Sequence, residues 1–296
     1  MRDRETNIPA TIRERQFTVK DGTLSVLEAG KENEQRIVLL HGIPANAYLF
    51  RDVIPILAEA GYHVLAPHMP GYGNTRLSDS ADYSLSAVAD LYATWLETEN
   101  LNPVWLVGHD LGGAVAQMIA VRYPHLLTHL TIGNAPIGDS FPVFAVNTAI
   151  FAARAGILPL LVSLKLIPNP YMSHEVRRGF ADASRMTQDM WDTIFWANKV
   201  QSKEGIKEFT KHLKHLRNDE AVAIVPQLSE IPVPALVLWS DTDLHQAEET
   251  IGQKLHAALP EETDYRVVKD AGHFMPIETP EAYANALLNW RQSLAD

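Results

Sequence analysis

The sequence predicts an α/β fold, a mostly parallel sheet flanked by helices, with a helical block inserted into it. Three observations carry this. Strand-like and helix-like patterns alternate up to residue 132 and again from Pro234 onward. Between them, residues 136–230 hold helical patterns and no convincing strand. The apolar run Val104-Trp-Leu-Val107 also turns through Gly108-His-Asp-Leu-Gly112 straight into the helix-like run Ala114–Arg122.

The elements follow in order. Arg13–Lys20 and Thr23–Ala29 flank Asp21-Gly22, a hairpin signal. Arg36–Leu40 reads as a short buried strand running into His41-Gly42-Ile43-Pro44, where Pro44 fixes the loop shape. Tyr48–Ala60 is amphipathic and stopped by Gly61, so it reads as one helix; Tyr62–Pro67 is the next strand. Leu85–Glu97 is a helix, Leu126–Ile132 a buried strand, Ala235–Trp239 a strand, Glu248–Leu259 a helix, Tyr265–Val268 a strand and Pro280–Ser293 a helix. Right-handed crossovers would place the loops after the parallel strands along one rim, which would gather Gly42, Asp110, Asp243 and His273. The expected division is a core of residues 1–135 and 231–296, with a helical cap of residues 136–230 over that rim.

Asp110 is the residue with the most chemistry to offer. Gly-x-Asp-x-Gly by itself is a weak pattern, because an aspartate after a strand is often an N-cap. Strand before, helix after and Gly112-Gly113 following favour a nucleophile on a strained turn. A carboxylate attacking an ester gives a labile anhydride, whereas attack on a saturated carbon gives an ordinary ester. Asp110 therefore points to opening an epoxide or expelling a halide. Val237-Leu-Trp-Ser-Asp-Thr-Asp243 offers two acids, Asp241 and Asp243, and Val268-Lys-Asp-Ala-Gly-His273 a histidine. The order nucleophile, acid, histidine is that of a catalytic triad on this kind of sheet.

Composition sets the outer limits. The 296 residues carry a net charge of −11 without a basic cluster, which argues against nucleic acid and anionic membranes. The absence of cysteine excludes disulfides and thiol catalysis. Met1-Arg-Asp-Arg-Glu-Thr6 has no apolar core for a signal peptide, so a cytoplasmic chain is expected. The apolar stretch Phe144–Pro168 carries Asn147, Arg154, Gly156, Pro159 and Lys165, which suits helices covering a pocket better than a membrane span.

Together His41-Gly-Ile-Pro44, Tyr48–Pro55, Val64–Gly73, the Gly-His-Asp elbow, Leu238–Asp243 and Ala271-Gly-His-Phe274 resemble the α/β-hydrolases, in particular the epoxide hydrolase and haloalkane dehalogenase group. The resemblance spans the chain apart from the block 136–230. It implies Asp110 as nucleophile, His273 as base and Asp243 as its acid, with the backbone N–H groups of Ile43 and Leu111 as oxyanion hole. Ser240 stands where the family usually has glycine, which leaves Asp241 in play. Some dehalogenases put the acid after the strand that follows the elbow helix; this chain has Asn134 there. His68 replaces the usual aspartate of the Ala-Pro-Asp-x-Pro-Gly turn.

No metal or organic cofactor is required, since the nucleophile and water suffice; the apolar bias of the 136–230 block suggests a small, hydrophobic substrate, and a monomer or homodimer is expected. Dehalogenases hold the halide with a tryptophan after the nucleophile and often an asparagine at the Ile43 position; here both side chains are apolar. Nor do the arginines of fluoroacetate-type dehalogenases follow the nucleophile. Epoxide hydrolases use cap tyrosines, and this block has Tyr171, with His174 nearby. The candidate substrate contacts are His41, Tyr171, Trp191 and Trp196, although a five-residue spacing does not align the two tryptophans on an α-helix. An epoxide is the preferred substrate and a haloalkane or haloacid the alternative. A non-catalytic ligand-binding protein of the same fold and a general esterase are the further readings.

Overall fold

A computed structural model describes residues 9–142, 144–164, 166, 170–196 and 202–294. Its centre is a nine-stranded sheet. The strands are β1 (Arg13–Val19), β2 (Gly22–Ala29), β3 (Gln35–Leu40), β4 (Tyr62–Pro67), β5 (Arg76–Leu77), β6 (Val104–His109), β7 (Leu127–Gly133), β8 (Ala235–Ser240) and β9 (Asp264–Val268). Their spatial order is β1-β2-β4-β3-β6-β7-β8-β9, with β5 on β2. β1, β2 and β4 pair antiparallel, and from β4 to β9 every pairing is parallel.

Continuous apolar runs make these central strands, because helices cover both faces. In β6, Val104 and Leu106 enter one core with the helices α2 (Leu85–Thr98) and α3 (Leu111–Arg122). Trp105 and Val107 enter the other core, with α1 (Val53–Glu59) and the C-terminal helix Pro280–Ser293. Burial of Tyr283, Leu287 and Trp290 seats that last helix against the second face. Alternation along each strand thus sorts its side chains between two layers.

Four differences from the sequence reading have physical causes. The expected helix Tyr48–Ala60 is broken into a tight turn, Ala47–Phe50, and α1. Asn46 accepts from the Tyr48 N–H to start the turn, and Pro55, which lacks an N–H, falls in the first turn of α1. The helix expected over 248–259 opens as a wide π turn, Glu248–Gly252. β5 is two residues long, too short to leave a pattern. Trp191–Trp196 is also a π turn, so the α-helical spacing argument against aligning its tryptophans does not apply.

Between Gly133 and Ala235 the described residues form helices and turns and no strand, the longest helices being Phe144–Arg154, Pro170–Arg178 and Lys203–His215. The last docks on the core through Tyr83 and buried Glu208, with Lys211 donating to Ser78 O and lying over the Tyr83 ring.

His68 now has an account. It is fully buried, and its Nδ1 accepts from the Ala47 N–H at 3.2 Å, pinning the turn after the Ile43 loop. Burial, helped by Arg76, pushes it down to about 3, so it stays neutral and makes no ion pair with Glu14. A histidine depressed from 6.5 stabilises the fold fully above that value, and the contribution is lost as pH falls toward 3. The melting temperature should therefore fall steadily below pH ~6.5. His68→Asn keeps an acceptor for Ala47 while removing the titration, so it should flatten that limb by up to about 1.4 kcal/mol per pH unit. Calorimetric scans giving parallel acid limbs for both proteins would refute this role.

Candidate active site

β6 ends at His109, α3 begins at Leu111, and Asp110 between them has φ 53° and ψ −127°. An aspartate acting as an ordinary N-cap would be extended and would accept from the second or third N–H of its helix, but Asp110 makes no such capping bond. Its backbone is held instead by donation to Gly133 O (3.1 Å) and by acceptance from Gly113 N–H (2.8 Å). The neighbouring chain comes very close. A Cβ on Gly42 would lie 2.0 Å from Asp110 Oδ1, and one on Gly112 would lie 2.3 Å from Leu40 O. Any side chain at either position would force the turn apart.

Strand-end loops bring Asp110, His273 and Asp243 together. Asp110 Oδ1 accepts from the Ile43 N–H at 2.8 Å, and the Leu111 N–H also supports the carboxylate. Oδ2 lies 3.3 Å from His273 Nε2. His273 Nδ1 donates to Asp243 Oδ2 at 2.8 Å. Asp243 is saturated: Oδ1 accepts from the N–H groups of His245 (2.7 Å) and Gln246 (2.8 Å), and Oδ2 also from Asn134 Nδ2 (2.6 Å). Asp241 is directed elsewhere, toward the N–H groups of Asp270 and Ala271, where it closes the loop before His273.

Burial acts on all three groups and loses. It would raise both carboxyls, yet His273 and the backbone donors hold Asp110 and Asp243 below the usual range. It would lower His273, yet the charges of Asp243 and Asp110 raise the imidazole to about 10. His109, whose ring sits 5.2 Å from that of His273, is pushed down to about 3 by burial and by the His273 charge, which outweigh the same two carboxylates. The resting site therefore pairs one imidazolium with two carboxylates.

Asn134 and Ser240 are the residues the sequence reading missed. Asn134, at φ 42°, donates to Asp243 and to Ser240 Oγ and accepts from the Ser240 N–H. Ser240 in place of glycine thus partners an asparagine at the other candidate acid position. Two departures from the usual family pattern in the same chain, Asn134 and Ser240, are the signal that could have linked them.

His41 is expected from the sequence among the substrate contacts. Its Nδ1 donates to Gly42 O and its Nε2 accepts from the Met69 N–H, so the ring braces two loops and does not line the cavity. Trp191 does line it. The side chains of Tyr171 and Trp196 lie outside the described residues. The Leu111 side chain is buried in the core beside α2.

A cavity of about 370 Å³ opens on Asp110 and His273. Its walls are mainly apolar, with Val146, Ala149, Leu161 and Phe209 supplied by the inserted helices. Tyr72, Trp191 and Gln246 are among its few polar side chains. Burial and then the Asp110 charge hold the Tyr72 hydroxyl well above its ordinary value, so it is a neutral donor.

The profile of the alpha/beta hydrolase family matches residues 37–286. The chain belongs to that family. A haloalkane dehalogenase of Psychrobacter cryohalolentis is 24% identical over 273 residues, covering 89% of this chain and 86% of that one. Epoxide hydrolase 3 of Xenopus tropicalis is 25% identical over 277 residues, covering 86% and 70%. The crystal structure of Cfl2 from Burkholderia cenocepacia superposes with a TM-score of 0.78 at 24% identity, over 95% and 96% of the two chains, and shows the shared fold. Among the described residues of this hydrolase, no helix is long and apolar enough to cross a membrane.

Two outcomes are expected. Asp110→Asn removes one of the two charges that raise His273, so the imidazole of the variant should titrate at lower pH than that of the wild type by proton NMR. Identical titrations would contradict the assigned contact. Asn134→Ala removes a donor to a buried carboxylate, and urea unfolding should show a loss of about 1.5–3 kcal/mol. An unchanged midpoint would mean that Asn134 does not support Asp243.

Proposed function

We propose that this hydrolase opens an epoxide through a covalent ester on Asp110, without metal or cofactor. The observation that carries the reading is an aspartate, not a hydroxyl, on the strained turn, with one oxygen on a backbone N–H and the other facing His273. Asp110 attacks a ring carbon, the carbon–oxygen bond breaks, and the alkoxide takes a proton from solvent, while the His273 imidazolium, no longer held by the Asp110 charge, releases its own proton to solvent. His273, with Asp243 behind it, then removes a proton from water, and the hydroxide attacks the ester carbonyl. The oxyanion would form on the Asp110 oxygen already held by Ile43 N–H and supported by Leu111. Such a donor is worth roughly 10²–10³ in rate. Collapse releases a diol and leaves one water oxygen on Asp110.

The proton on His273 fits this order. In the resting site two carboxylates hold it on. Esterification removes the Asp110 charge, so the imidazolium gives up its proton more readily and the neutral imidazole can take one from water. The apolar walls favour a hydrophobic substrate, and residues 136–230 act as the cap over it. Tyr72 is an additional donor for the leaving oxygen, from the core and not from the cap. A carbon–halogen substrate is the second reading, favoured by Trp191, whose indole lines the same wall.

One turnover in H₂¹⁸O should place a single ¹⁸O in the Asp110 peptide. Unlabelled Asp110 during active turnover would rule out the ester route. His273→Gln should accumulate the ester, seen as a protein mass increase equal to the substrate. Styrene oxide-like epoxides, bromoalkanes and p-nitrophenyl esters offered together separate the readings. Halide release without diol formation selects the dehalogenase, ester cleavage the esterase, and inertness toward all three the binding protein.

A further inference from the structure

Glu278 ends the short helix Met275–Glu278 that follows His273, and its side chain is fully buried. A carboxylate without solvent must find its partners within the protein. Its Oε2 accepts from the N–H groups of Gly272 (2.8 Å) and Ala181 (3.1 Å). Its Oε1 accepts from the Asp182 N–H and from Arg185, both at 3.2 Å. Gly272 belongs to the loop that carries His273, whereas Ala181, Asp182 and Arg185 belong to the helical insertion. One carboxylate therefore joins two segments that are about 90 residues apart in sequence.

The contact between those segments is intimate. Phe274 N–H donates to Gly179 O at 3.2 Å, and Arg185 donates to Asp270 O at 2.8 Å. A Cβ on Gly272 would lie 2.4 Å from Gly179 O, and one on Gly179 would lie 2.5 Å from the Phe274 ring. The rings of Phe180 and Phe195 then close on Phe274 from the insertion side. On the acid side, His245 Nε2 donates to Glu175 O at 3.2 Å. The insertion is thus fastened to the loops of both His273 and Asp243.

We infer that Glu278 is a positioning residue: it clamps residues 179–185 of the insertion onto the His273 loop, so that the base is set against Asp110 only while the insertion is seated. This rests on the proposed function where it speaks of turnover; the clamp itself does not. A misplacement of about 1 Å at a reacting group can cost on the order of 10² in rate. Because His273 acts on the second half-reaction, the loss should fall on ester hydrolysis and not on ester formation.

The experiment compares wild type with Glu278→Ala and Glu278→Gln by hydrogen–deuterium exchange and by rapid-quench mass spectrometry with styrene oxide. In Glu278→Ala, exchange should rise together in residues 179–185 and 270–275. Ester hydrolysis should slow by roughly 10²-fold and ester formation by less than about threefold. Glutamine keeps one acceptor oxygen, so Glu278→Gln should fall between. If Glu278→Ala does not fold, Glu278→Gln is judged alone by the same two readouts. Faster exchange confined to 179–185, or ester hydrolysis as fast as in wild type, overturns the proposal. If the wild type forms no ester, the Asp110 reading fails, and the paired exchange response still decides the clamp.

Discussion

The left-handed backbone of Asp110 is the constraint on which the rim depends. A non-glycine residue at this φ and ψ carries a strain of roughly 1–3 kcal/mol, and it persists only where the surroundings over-determine it. Here they do. β6 lies inside the sheet between β3 and β7, its amide partner is Gly133 on β7, and the Ile43 N–H after β3 takes the side chain. Gly42 and Gly112 exist because those neighbours come within contact distance of the turn. The direction of the Asp110 side chain then fixes where His273 must arrive, since the carboxylate oxygen left over by Ile43 is the one that meets it.

Two buried carboxylates and one imidazole could have been arranged symmetrically, and the difference between them assigns their roles. Asp243 has four donors on its two oxygens, two from backbone, one from Asn134 and one from His273. A carboxylate so occupied is stabilised as an anion and has no lone pair directed at the cavity. Asp110 Oδ2 lies 3.3 Å from His273 Nε2, longer than the 2.8 Å contact to Asp243. Saturation makes one acid an orienting group. Incomplete saturation suits the other to the attack proposed for it.

Much of this was legible in the sequence because it depends on local pattern. Unbroken apolar runs gave β4, β6 and β8, and strand-end loops in the order Asp110, Asp243, His273 foretold their meeting on one rim. What escaped depends on partners distant in sequence. Asn134 and Ser240 look like ordinary polar residues until β7 and β8 are paired side by side. Glu278 looks like the end of a surface helix until the insertion folds back over it. His41 misled in the opposite direction: a histidine beside the oxyanion loop suggests chemistry, but both its nitrogens are engaged by backbone. The breaks in the expected helices at 48–60 and 248–259 also lie beyond periodicity, since a single tight or π turn is too short to leave an apolar spacing of its own.

In the proposed mechanism the insertion has two duties that only a single rigid placement can satisfy. Its inward residues Val146, Ala149 and Leu161 make the cavity wall apolar, and exclusion of water there strengthens every charge interaction around Asp110. The same exclusion would stop an ester intermediate from being hydrolysed by bulk solvent, so water must be activated at one place, beside His273. A wall that drifted from the base would either admit water away from His273 or leave the base out of reach of the ester. Fastening residues 179–185 directly to the Gly272–His273 loop would, on the inferred clamp, remove that independence, so that whatever seats the apolar wall would also set the base. Binding of an apolar substrate against the insertion would then favour the geometry in which the second half-reaction can occur, with no separate signal between cavity and triad.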